Sequence, residues 1–228
     1  MLALALVSLL VAAPPAAPRA PVRWVTDEAG LLSPRVQAAL DQRLEGYQQQ
    51  TGHQVLVWIG KTSGGEPIEL FAERAFREWK VGRAGLDDGV VLFVLADDRT
   101  LRLEVGYGLE PTLTDALASR IITERITPLL KAGDADGAIS SGVDALITSI
   151  GGAPLGPAPE ESRFTTSQWV ALGVGAVAFL LLLIIRPDLA LRLLTLMLFF
   201  GRNGRGRGRG GFSGGGGRSG GGGASGRW

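Results

Sequence analysis

The sequence of 228 residues contains no cysteine and a single histidine, His53. The absence of cysteine excludes disulfide bonds, thiolate metal sites, iron–sulfur clusters and cysteine nucleophiles. One histidine argues against a zinc site built from several histidines and against a Ser-His-Asp triad. Any metal or catalytic chemistry in this chain must therefore rest on carboxylates, hydroxyls and arginines.

Net charge is also small, because 23 Lys and Arg face 22 Asp and Glu, but the charge is unevenly distributed. Residues 22–152 carry 19 acidic against 13 basic side chains, whereas residues 186–228 carry 8 arginines against one aspartate. An acidic body is thus followed by a basic tail. Such a tail favours an anionic lipid surface.

Two apolar segments predict export and membrane anchoring. Residues 1–20 begin with a run of Leu, Ala and Val and end in prolines, which is typical of a secretory signal peptide. Residues 169–185 carry no charge and, as a helix, would extend about 26 Å, close to the roughly 30 Å of a bilayer core. The sequence therefore predicts a transmembrane helix at 169–185, after a Pro- and Gly-containing linker at 153–168.

The segment at residues 189–200 is apolar but short, and Arg192 interrupts it. We expect an interfacial or membrane-associated segment and one crossing of the cytoplasmic membrane. Arginines then accumulate on the C-terminal side of residues 169–185, which predicts a single-pass protein with its folded domain outside the cytoplasm and its tail inside. A second crossing by residues 189–200 would instead return the tail to the outside.

The tail at residues 201–228 contains 15 glycines and 6 arginines. This composition buries little apolar surface and predicts a disordered Gly/Arg-rich tail. Its arginines favour contact with anionic lipid and leave room for a protein partner. The arginine–glycine run resembles a nucleic-acid-binding arm, but a single Phe and a single Trp offer little base stacking, which disfavours nucleic acid.

Residues 22–152 alternate between helical and strand patterns and predict an α/β fold with a mixed central sheet of about four strands between helices. Helices are expected from Pro34 to Gly52 and from Pro67 to Val81, and later at 115–130 and 136–150. Apolar strands are expected at 54–59, 90–95 and 101–105. In the last strand Leu101, Leu103 and Val105 alternate with Arg102 and Glu104, which predicts one buried face and one solvated face.

Charged side chains gather at the ends of these strands. Without cysteine, a metal bound here would be a hard cation, Ca²⁺ or Mg²⁺, held by oxygen ligands. Acidic turns next to strands are also commonly just solvated, so the spacing alone leaves both interpretations open. The candidate metal ligands are Asp87, Asp88 and Asp115, and the candidate charged site comprises Arg99, Arg102, Glu104, Glu110 and Asp115.

Three stretches resemble the TPM domain family: WVTDEAGLLS near the start, DDGVVLFVLADDRTLRLEVGYGLEPTLTD in the middle and KAGDADGAISSGVDALI near the end. The resemblance covers residues 22–152 and implies a central sheet between helices, divalent-cation binding through acidic loops, and an acid phosphatase activity in some members. We therefore expect a membrane-anchored extracytoplasmic module that binds a divalent cation and serves interaction or assembly. The alternative is a metal-dependent acid phosphatase in which Arg99 or Arg102 stabilises phosphoryl charge.

Overall fold

The computed structural model describes residues 18–151 and 211–228, and within them the chain builds a mixed five-stranded sheet. The spatial order of the strands follows the chain: β1 (Val25–Asp27), β2 (Gln54–Gly60), β3 (Gly89–Leu95), β4 (Thr100–Gly106) and β5 (Ser219–Arg227). The first three strands are parallel, whereas β4 is antiparallel to β3 and β5 is antiparallel to β4. The α/β fold with a mixed sheet is thus confirmed, with β1 and β5 in addition to the strands that the sequence predicted.

The helices are α1 (Pro34–Thr51), α2 (Ile68–Trp79), α3 (Asp115–Arg120), α4 (Thr127–Lys131) and α5 (Ala135–Ile150). The start of α1 follows the sequence signals: Ser33 Oγ accepts the Val36 N–H at 3.3 Å, and Pro34 occupies the first turn. Gly52 ends the helix in the left-handed conformation, at φ 82°.

The single helix predicted at residues 115–130 is divided, because a π-helical turn, Ile121–Ile126, lies between α3 and α4. Pro128 has no N–H to continue the α-helical hydrogen bonds, which accounts for the break.

Helices cover both faces of the sheet. On one face α2 packs through an aromatic cluster whose ring centroids lie 5.4–6.1 Å apart: Trp58, Phe71, Trp79 and Phe93. On the other face α5 packs through Gly142, where an added Cβ would lie 2.7 Å from Ile126 Cδ1 of the π-helical turn and 3.9 Å from Leu92 Cδ2 of β3. Helix α1 lies beside α5, since the Ser33 N–H donates to Asp136 at 2.8 Å.

Strand β4 is buried on both faces, which corrects one prediction. Leu101, Leu103 and Val105 lie in the core as expected. Arg102 and Glu104, predicted to face solvent, are only 6% and 0% exposed. Their face is covered by α2, and their edge of the sheet is covered by β5, an element absent from the sequence prediction.

The C-terminal segment, residues 211–228, contradicts the prediction of disorder over residues 201–228. Its last part pairs along β4 from Thr100 to Gly106. Phe212 is buried and packs edge-on against Trp24, with ring centroids 5.5 Å apart. Main-chain hydrogen bonds and this aromatic contact offset the loss of backbone entropy on ordering the segment, which costs about 1–2 kcal/mol per residue.

The predicted signal peptide, linker, transmembrane helix and apolar segment at 189–200 lie mostly or wholly outside the described residues. Among residues 18–151 and 211–228, no helix has the length and apolar character needed to cross a bilayer.

The core assignment of β4 predicts the effect of two leucine substitutions. Leu103→Ala leaves a cavity in the fully buried strand and is expected to lower the free energy of unfolding by about 2–5 kcal/mol. Leu70→Ala, on a side of α2 where the leucine is 56% exposed, is expected to change it by less than about 0.5 kcal/mol. Urea unfolding of the full chain, followed by circular dichroism, measures both. Equal losses would contradict the assignment of Leu103 to the core.

Candidate functional site

The centre of the candidate site is an ion pair in β4. Arg102 and Glu104 are two residues apart on one strand, so their side chains leave the same face of the sheet. Arg102 Nε donates to Glu104 Oε2 at 2.7 Å, and both side chains are almost wholly buried. Burial raises the pKa of Glu104, and hydrogen bonds from Ser219 and Arg102 offset part of that increase. Such a pair is stable only while its remaining donors and acceptors are satisfied.

Those remaining partners come from the C-terminal segment. The Ser219 hydroxyl donates to Glu104 Oε1 at 2.5 Å. The Arg102 guanidinium donates to the Gly221 carbonyl at 2.8 Å and to Ser225 Oγ at 3.1 Å. Two charged residues of β4 are thus bonded to three residues of the tail strand.

Asp87 lies in the loop before β3, where its backbone has a positive φ of 50°. Its carbonyl accepts the Gly108 N–H at 3.0 Å. Gly108 permits this close approach, because a Cβ there would lie 1.9 Å from the Leu86 carbonyl oxygen. The Asp87 side chain then accepts the Arg218 N–H at 2.9 Å. The loop is therefore shaped to present a carboxylate to the C-terminal segment.

Glu110 and Asp115 flank the other side of the strand. Thr114 caps α3, so Asp115 falls in its first turn, and Asp115 Oδ1 accepts the Gly223 N–H at 2.7 Å. Glu110 Oε1 lies 2.7 Å from the position that a Cβ on residue 222 would occupy. Arg99, at the turn between β3 and β4, contributes its carbonyl oxygen, which accepts the Trp228 N–H at 3.2 Å.

Asp88 has a different role from its neighbour Asp87. Its Oδ1 accepts the Arg83 N–H at 2.9 Å, and its Oδ2 accepts Arg83 Nε at 2.8 Å and lies 3.2 Å from His53 Nδ1. Burial raises the pKa of Asp88, but the hydrogen bonds and charge of Arg83, helped by His53, outweigh burial and leave it below its ordinary value. Asp88 holds the loop before β3 to the end of α1.

The predicted cation ligands do not form one centre. Asp87 and Asp115 each accept a backbone N–H of the C-terminal segment, while Asp88 is bonded to Arg83 and His53. In the part of the chain that the structure describes, no group of three or more His, Asp or Glu is placed to hold a metal ion. The carboxylates present therefore do not fit the expected Ca²⁺ or Mg²⁺ site, and cation binding stays a prediction.

A pocket of about 630 Å³ opens at the far end of β5. It lies between the start of α2, the turn after β3 and the tail residues Ser225, Gly226 and Arg227. A hydrogen bond from Ser225 lowers the pKa of Glu69, and hydrogen bonds from Ser63 and Thr62 lower that of Asp98. The tail strand thus forms one wall of this pocket.

Six of the seven predicted site residues therefore contact the C-terminal segment, and Asp88 supports the loop beside it. We call this surface the strand site; it comprises the outer edge of β4 with Asp87, Glu110 and Asp115. Sequence reasoning missed the tail residues that complete it: Arg218, Ser219, Gly221, Gly223 and Ser225. The available signal was the pair of aromatic residues, Phe212 and Trp228, in an otherwise glycine-rich tail.

Comparison with known proteins agrees with this fold, an α/β domain with a mixed sheet between helices. The family model of the TPM domain matches residues 25–149, and the chain belongs to that family. The strand β5 lies outside the matched residues. No curated protein sequence matches the chain.

Solved structures that are similar to it include the following two. The N-terminal domain of a protein from P. gingivalis is 33% identical, with a TM-score of 0.52 over 58% of this chain and 84% of that one. A protein from the psychrophilic bacterium Bizionia argentinensis is 16% identical, with a TM-score of 0.48 over 60% of this chain and 92% of that one.

The environment of Asp88 predicts how acid affects stability. Folding lowers the pKa of Asp88, so its charged carboxylate stabilises the fold at pH values above its ordinary pKa of 3.8. This stabilisation is lost as the pH falls through the lowered pKa. Asp88→Asn is expected to lower the free energy of unfolding by about 1–2 kcal/mol at neutral pH. The loss is modest because Arg83 is 44% exposed and solvent screens its charge. The substitution is also expected to make the free energy of unfolding depend less on acid pH. Urea unfolding from pH 7 to pH 3 measures this, with exposed Asp97→Asn as the control. An acid dependence unchanged by Asp88→Asn would contradict the assignment.

Proposed function

We propose that this TPM domain is a binding module whose strand site holds an extended polypeptide, and that its own C-terminal segment is the bound strand described here. The module acts outside the cytoplasmic membrane, to which residues 169–185 anchor it. Its function is interaction or assembly rather than turnover of a small substrate.

The observation that carries the proposal is that the charged side chains of the site form hydrogen bonds with the C-terminal segment. Glu104, Asp87 and Asp115 each accept a hydrogen bond from the C-terminal segment, and Arg102 donates two to it. Main-chain pairing along a sheet edge supplies affinity in strand-addition complexes, and side-chain contacts supply selectivity. Both components are present at the strand site.

The phosphatase alternative has less support from the same geometry. Arg102, which would stabilise phosphoryl charge, is buried and bonded to Glu104 and to the tail. A phosphate ester would have to displace the C-terminal strand before it could reach the Arg102 guanidinium.

The pairing of β4 with β5 also bears on membrane topology. Residues 100–106 and 219–227 are hydrogen-bonded, so in one chain they lie on the same side of any membrane. A chain that crosses a membrane between Gly151 and Gly211 must then cross it an even number of times. We propose that the tail lies on the same side of the membrane as the domain, in place of the single crossing expected from the sequence.

Hydrogen exchange tests whether the C-terminal strand is held in solution. At Gly223, where φ is 130°, a Cβ would lie 1.8 Å from the Leu103 carbonyl oxygen. Gly223→Val in the full chain is therefore expected to accelerate exchange of the amides in residues 219–227 at least about tenfold, while those of α1 remain protected. Ser213→Val, at an exposed position of the same segment, is the matched control. Equal exchange in Gly223→Val and the unmodified chain would contradict the proposal.

Cysteine labelling tests the topology, since the natural chain has no cysteine. Full chains with Ser162→Cys or Ser213→Cys are treated on intact cells with a membrane-impermeant thiol reagent after any outer membrane is permeabilised. We expect both positions to react, because the domain and its tail share a compartment. Labelling of position 162 without position 213 would place the tail in the cytoplasm and exclude its pairing with β4 of the same chain.

A further inference from the structure

We infer that the strand site of one copy also accepts the C-terminal segment of a second copy, so that the chain assembles by exchange of β5. The inference rests on the proposed function, because it concerns the same site. It names the partner as residues 211–228 of a neighbouring chain.

The strand site is selective for glycine at defined positions. A Cβ at residue 223 would lie 1.8 Å from the Leu103 carbonyl oxygen, and one at residue 226 would lie 2.4 Å from Ile122 Cγ2. Nearer the start of the segment, a Cβ on Gly214 would lie 2.0 Å from the Trp79 carbonyl oxygen. An ordinary β-strand carries side chains at such positions and is excluded by these contacts.

Side chains at other positions fix the register of the strand. Ser219 bonds to Glu104 and Ser225 bonds to Arg102, so a shift of the strand by one residue would leave the buried ion pair without these partners. Phe212 packs on Trp24 near one end of the segment, and Trp228 packs against the core at the other. A partner strand must therefore combine glycines, two serines and two aromatic anchors in this spacing. The same segment of a second copy meets every one of these requirements.

Covalent connectivity does not restrict the strand to its own domain. Gly151 and Gly211 are separated by 59 residues, which have a maximum extended length of about 200 Å. The contacts between strand and site are the same whichever copy donates the strand. The choice between them depends on the local concentration of neighbouring copies, which membrane anchoring raises.

An empty strand site also favours exchange. Without β5, the seven-residue strand β4 would present unpaired N–H and C=O groups along a sheet edge and would expose the Arg102–Glu104 pair. Such edges readily pair with another chain. Each copy has one site and one strand, so exchange joins copies into closed pairs or into open chains.

Disulfide trapping distinguishes exchange from pairing within one chain. Thr100 and Arg227 are directly opposite each other in the register of β4 and β5, and such antiparallel neighbours lie within disulfide range. A full chain with both Thr100→Cys and Arg227→Cys reports pairing within a chain as an internal disulfide. Co-expressed full chains that carry only Thr100→Cys or only Arg227→Cys can form a disulfide across β4 and β5 only when the strand is donated by another copy.

We expect the co-expressed pair to give several-fold more disulfide-linked dimer than a control pair of Arg35→Cys with Arg227→Cys. Arg35 is exposed near the start of α1, which does not belong to the strand site. Adding Gly223→Val to the chain that carries Arg227→Cys is expected to reduce the dimer to the control level. If the co-expressed Thr100→Cys and Arg227→Cys chains, without Gly223→Val, gave no more disulfide-linked dimer than the control pair, exchange of β5 would be overturned. If the double-cysteine chain formed no disulfide at this pair, neither within one chain nor between chains, the proposed function itself would fail.

Discussion

The hydrogen-bonded pairing of β4 with the C-terminal strand is the constraint on which the rest of this domain depends. Strand β4 is buried on both faces, and it carries an arginine and a glutamate that would be costly to bury beside an open edge. The last nine-residue strand closes that edge and supplies a hydroxyl for Glu104 and two acceptors for Arg102. A TPM domain that ended at α5 would lack both the fifth strand and these partners.

A buried ion pair is a weak source of stability, because desolvation offsets most of the attraction between its charges. Its better-attested effect is to select one arrangement among several. The strand β5 consists mainly of glycine, so it has few side chains that could define a register along β4. The bonds of Ser219 and Ser225 to the ion pair supply that definition. Charged residues that the sequence suggested as a catalytic or metal-binding cluster thus fix the register of a strand.

The sequence was sufficient for the elements that have a strong periodic signal. The apolar strands β2 and β3, the capped helix α1 and the buried alternation of β4 all follow from local pattern and end signals. The burial of Arg102 and Glu104 could not be predicted, because α2 covers their face of β4 and its edge is closed by β5, more than a hundred positions away. The prediction of a disordered tail was wrong for residues 211–228. A glycine-rich segment is ordered when a neighbouring surface has room for its backbone but not for side chains. Here glycine is required by close backbone contact, for which a single sequence has no local signal.

The contrast between an acidic body and a basic tail takes on a different meaning in the folded chain. The sequence predicts that the basic tail contacts lipid, yet in the structure the tail bonds to carboxylates of the domain itself. A hydrogen bond from Ser225 and, to a smaller extent, the charge of Arg227 lower the pKa of Glu69, and the main-chain N–H of Arg218 donates to Asp87. The opposite net charges of the acidic domain and the basic tail also favour their association. Charge complementarity brings the segments together, glycine allows their backbones to meet, and the serines fix how they align.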